Sequence, residues 1–88
     1  MSDSRHRQLS RIYGRPIESD ADARAAVLAD PGVLASALFM EAVASDDVTS
    51  IESARAYLRD RLDFLAELVA EASPAIRAGF EERVHAWE

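Results

Sequence analysis

The chain has 88 residues, a net charge of −6, no cysteine, and ten basic side chains that are all arginine. A chain of this length forms one domain that buries roughly 60 to 65 % of its unfolded surface, and with 49 % apolar residues but no run near a membrane-span length it is expected to fold, in the cytoplasm and without a membrane partner. Without lysine or cysteine it offers no P-loop lysine, no Schiff-base amine and no thiolate for zinc or for nucleophilic catalysis.

Five helical segments follow in chain order. Residues about 3–13 carry Leu9, Ile12 and Tyr13 on one side and stop at Gly14 with Pro16 just beyond, a C-terminal signal. Ser19 with Asp22 three residues on opens a second helix over about 20–29, whose apolar side of Ala23, Ala26 and Val27 is small enough for close helix approach. Asp30-Pro31 joins a preferred N-cap residue to a proline at the first helical position, where the missing N–H costs nothing, and so predicts a third helix over 31–44. That segment is apolar on nearly every side and belongs in the middle of the fold. Its one charge, Glu41, lies between Leu34 and Leu38 in angle and is drawn toward the core.

Thr49-Ser-Ile-Glu52 has capping-box spacing, and the pattern after it predicts an unbroken helix to Ala72. At about 100° per residue, Ile51, Ala54, Leu58, Leu62, Leu65, Val69 and Ala72 form one stripe. Tyr57, Phe64 and Leu68 widen the arc to roughly 160°, more than one core contact needs, which marks them as candidate partner-binding residues. Arg61 sits in the same arc, where a charge is costly unless it is paired or reaches water by its flexible stem. Glu41 is the matching charge, so a shielded Glu41–Arg61 pair is expected. Ser73-Pro74 repeats the N-cap and proline signal and opens a last helix over 74–87 with a stripe of Ile76, Phe80, Val84 and Trp87. It is expected to fold back antiparallel on the fourth, with Arg77 and Arg83 answering Asp63, Glu67 and Glu71.

Charge divides the chain into a basic N-terminal arm with a short helix, 1–15, and an acidic helical domain, 16–88. The arm sets four arginines against Asp3, for +3, and the rest sets six arginines against fifteen acids, for −9. Arg5, Arg7 and Arg11 are therefore candidate contacts for an acidic protein partner or for the chain's own acidic body. Nucleic acid is not expected, because no second basic stripe with interleaved aromatics exists to hold phosphates.

Glu82-Arg-Val-His85 has the Glu-x-x-His spacing of helical di-iron sites. One copy is half of such a site, so a carboxylate–histidine metal bundle would need a dimer, with Glu67 or Asp63 as further ligands. His85 projects away from Phe80 and Trp87, so no metal or other cofactor is expected. The reading is an all-α, single-domain bundle of about five helices, with a central helix 31–44 and an antiparallel hairpin of 50–72 and 74–87. Its expected role is non-catalytic: a regulatory or accessory protein that binds a protein partner or a second copy of itself.

Overall fold

A computed structural model describes residues 4–87; residues 1–3 of the basic arm, Asp3 among them, and Glu88 lie outside it. Helix α1 (Ser4–Tyr13) stops where the sequence predicts, because Gly14 takes the left-handed conformation, φ +67°, and its N–H donates to the Ser10 carbonyl at 2.9 Å. Helix α2 (Asp20–Ala29) begins at Ser19, whose hydroxyl accepts from the Asp22 N–H at 3.1 Å. Helix α3 (Pro31–Ala44) turns 93° away from α2. Asp30 lies between them but does not cap α3 with its side chain. Its backbone, at φ −150° and ψ 76°, instead turns its carbonyl to accept from the Tyr13 hydroxyl at 2.9 Å. Burial and the Asp30 charge push that phenol up to about 12.

Helix α4 (Ile51–Phe64) does start with a capping box, one residue later than expected. Ser50 is the N-cap and accepts from the Ser53 N–H at 3.1 Å, while the Ser53 hydroxyl accepts from the Ser50 N–H at 2.9 Å. A hydroxyl three residues on can do for the cap what the expected Glu52 carboxylate would do, and Thr49 is left outside.

The predicted unbroken helix to Ala72 is not formed. After Phe64 the chain passes through Leu65 at φ −99° and ψ 8° into a single turn, α5 (Ala66–Val69), then a 3₁₀ turn (Ala70–Ala72), and enters α6 (Ser73–Trp87). No glycine or proline lies between Phe64 and Ala72, so the break has a tertiary cause. It lets Leu65, Leu68, Val69 and Ala72 all reach the core, and Arg24 of α2 donates to the Glu67 carbonyl from Nε at 3.3 Å and Nη2 at 2.9 Å. Ser73 is accordingly the first helical residue of α6, at φ −53° and ψ −44°, and not its N-cap.

Helix α3 is central and touches α1, α2, α4 and α6, burying Leu34, Ala35, Leu38 and Ala42. Its most extensive neighbour is α6. Gly79 permits that approach, since a Cβ built there would lie 3.0 Å from the Ala35 Cβ, and Phe39 meets Phe80 and Trp87 edge-on at 5.6 and 6.1 Å. The hairpin of α4 and α6 is present, tied by Arg55 to Glu81. Arg77 and Arg83 do not answer Asp63, Glu67 and Glu71, however; Arg83 donates to its own helix at the Gly79 carbonyl. The break at Leu65 carries Glu67 toward α1 and α2 instead. Helix α3 also departs from all-round burial, because Met40 is 63 % exposed and Val43 lies open beside it. No single helix among the described residues is long and apolar enough to cross a membrane.

Candidate partner-binding groove

Two walls with the same residue spacing make the groove. Ser4, Gln8 and Arg11 stand at i, i+4 and i+7 on α1, and Tyr57, Arg61 and Phe64 at i, i+4 and i+7 on α4, so each set shares one helix face. Glu41 and Ala44 of α3, with Ser45 just after it, form the floor, and the open volume is about 570 Å³. Five residues that the sequence singled out, Arg11, Glu41, Tyr57, Arg61 and Phe64, therefore meet in one place. Phe64 is 48 % exposed there.

Glu41 and Arg61 do not form the expected direct, shielded pair. The Tyr57 hydroxyl stands between them: it donates to Glu41 Oε2 at 3.2 Å and accepts from Arg61 Nε at 3.3 Å, all three side chains being half-buried. The Arg61 guanidinium also lies over the Tyr57 ring, 5.3 Å from its centre. A phenol that both donates and accepts satisfies the carboxylate and holds the guanidinium without bringing the charges into contact. The groove is open to water, so neither charge needs a buried counter-ion.

Leu68 is not available to a partner. The break at Leu65 turns it inward and it is 2 % exposed. Arg5 is also engaged, with Nη1 3.2 Å from Glu67 Oε2, and His6 Nε2 lies 2.8 Å from Asp20 Oδ1. These two contacts hold α1 on the acidic body. Arg7 and Arg11 are exposed on the opposite side of the helix, next to Arg15, and make no hydrogen bond or ion pair among the described residues. Glu82 and His85 are both exposed on α6. No group of three His, Asp or Glu side chains is placed to hold a metal ion among the described residues.

Ser4, Gln8 and Ser45 were missed by the sequence reading. The i, i+4, i+7 spacing on α1 was the available signal, but polar residues on a basic arm read as a solvated face. The chain has no significant match among protein-family models, curated proteins or solved structures.

Proposed function

We propose that the protein is a non-catalytic interaction module of a regulatory or accessory kind, which binds an acidic segment of a protein partner in the groove between α1 and α4. One observation carries this reading. The groove pairs two guanidinium groups, Arg11 and Arg61, that meet no carboxylate among the described residues, although acids outnumber arginines in the chain, and it sets an exposed Phe64 beside them. A planar fork prefers a carboxylate in bidentate contact, and an aromatic side chain at a groove wall gives a partner apolar area to bury. The partner is therefore an acidic segment with at least one large apolar side chain.

Fluorescence anisotropy with a labelled amphipathic peptide of Glu and Leu, against its Gln and Leu counterpart, tests this. The expected result is saturable binding of the acidic peptide alone, weakened roughly tenfold or more by Arg11→Gln with Arg61→Gln, or by Phe64→Ala. Binding that those substitutions leave unchanged would overturn the reading. Where the partner is a second copy of the chain, light scattering shows a dimer that Phe64→Glu dissolves.

A further inference from the structure

The opposite flank of α4 carries a feature that neither the groove nor the core explains. Arg55 on the second turn of α4 meets Glu81 of α6 through two hydrogen bonds, Nε to Oε1 at 2.8 Å and Nη2 to Oε2 at 2.9 Å. This bidentate contact fixes the antiparallel register of the two helices. One turn closer to their connection, the same register sets Arg59 of α4 against Arg77 of α6, and both line the cleft that holds the Arg55–Glu81 pair. The cleft has a volume of about 500 Å³ and a partly apolar floor that includes Leu58. Neither Arg59 nor Arg77 makes a hydrogen bond or ion pair among the described residues, and Glu81 is already occupied by Arg55. Arg59 and Arg77 thus line one cleft from two helices, and the Glu81 carboxylate in it is taken by Arg55.

We infer that the cleft between α4 and α6 binds an anionic group, a carboxylate or a phosphate, held between Arg59 and Arg77. Two arginines lining one cleft from separate helices can each present parallel N–H donors, which suit planar carboxylate and phosphate oxygens. The Arg55–Glu81 pair and the packing of Leu58 fix the two helices that carry the forks, so little reorganisation is needed on binding. The cleft sets Arg55, Arg59 and Arg77 against Glu52 and Glu81, a net charge of +1, which suits a single small anionic group and offers little to a nucleic acid backbone.

The site is read on the Arg side-chain Nε–H signals of the full chain by ¹H–¹⁵N NMR, with sodium chloride holding ionic strength constant so that screening does not change. Inorganic phosphate is one titrant and succinate the other. Saturable shifts of Arg59 and Arg77 with phosphate alone assign the site to a free phosphate or phosphate ester. Saturation with succinate alone assigns it to a carboxylate, and saturation with both supports the shared chemistry. Arg59→Gln or Arg77→Gln should weaken the binding roughly tenfold or more while leaving any response of Arg61 in the groove as it is in the wild type. Linear, unsaturated shifts with both titrants, or saturation retained in both variants, would sink the proposal.

Discussion

The two flanks of α4 handle charge in opposite ways. On the α6 side, Arg55 and Glu81 meet directly and in bidentate fashion, with side chains 49 % and 36 % exposed. On the α1 and α3 side, Arg61 and Glu41 are half-buried and never meet, because the Tyr57 hydroxyl stands between them. A direct pair in water gains modest Coulomb energy and fixes register more than it stabilises. An interposed phenol satisfies one lone pair of the carboxylate and one donor of the guanidinium, and it leaves the other Arg61 donors free to meet a ligand. The α1 and α3 flank thus leaves guanidinium donors beside an exposed Phe64, while on the α6 flank the Arg55–Glu81 contact sets the register of two helices. The seam shared by both flanks is apolar, and it decides whether either exists.

That seam gives the largest expected effect. Leu68→Ala should lower stability by about 2 to 5 kcal/mol, because it removes a core side chain next to the break; Phe64→Ala should cost about 0.5 kcal/mol or less, as an exposed residue does. Urea denaturation of the two variants checks this. Equal small losses would return Leu68 to the surface and break the distinction between seam and flank.

The seam was legible in the sequence and the break in it was not. Of the stripe from Ile51 to Ala72, Ala54, Leu58, Leu62, Leu65, Val69 and Ala72 are in the core and Ile51 is half-buried against it, although the helix ends at Phe64. Local pattern encodes burial well, since periodicity is a property of the chain itself. The turn at Leu65 has no local cause, because it is stabilised by Arg24 reaching the Glu67 carbonyl from 43 residues away and by the packing against α2 of α5, whose Leu68 and Val69 are buried. The same limit moved the caps: Ser19 was read correctly, whereas Asp30 gave its carbonyl to Tyr13 and Ser73 was absorbed into a helix arriving from the 3₁₀ turn. In the groove, residue types were legible and partners were not. Glu41 and Arg61 stood out as charges on apolar faces, but the phenol between them was counted only as width of an arc.

The middle-sized effect tests that phenol. Tyr57→Phe should cost about 1 kcal/mol, the net contribution of hydrogen bonds lost from a half-buried site. The more telling quantity is coupling between Glu41→Gln and Arg61→Met. In the native background it should be a few tenths of a kcal/mol up to about 1 kcal/mol, well under the roughly 3 to 5 kcal/mol of breaking a buried direct pair, and it should fall to about zero once Tyr57→Phe removes the relay. Coupling that persists without the hydroxyl would mean that the two charges interact directly, and the contrast between the flanks would fail.

The smallest effect belongs to the exposed pair and has a pH signature. Arg55 donating to Glu81 holds that carboxyl below its ordinary value of 4.5, the hydrogen bond outweighing the opposing effect of burial. A carboxyl whose folded-state value is depressed stabilises the fold above its unfolded value and loses that contribution as pH falls through the folded one. The contribution is therefore present at neutral pH, where it should be about 0.2 to 1 kcal/mol for a pair this exposed, and it should disappear as the solution is taken well below pH 4.5. Arg55→Gln should lower the urea midpoint slightly at neutral pH and leave it close to wild type in acid. High salt should narrow the difference at neutral pH as well, because an exposed pair is screened while the half-buried Tyr57 relay is screened less. An Arg55→Gln deficit that stays constant from neutral to acid pH would show that Arg55 acts through its packing against α6 and not through the Glu81 charge, leaving the two flanks of α4 alike in their electrostatics.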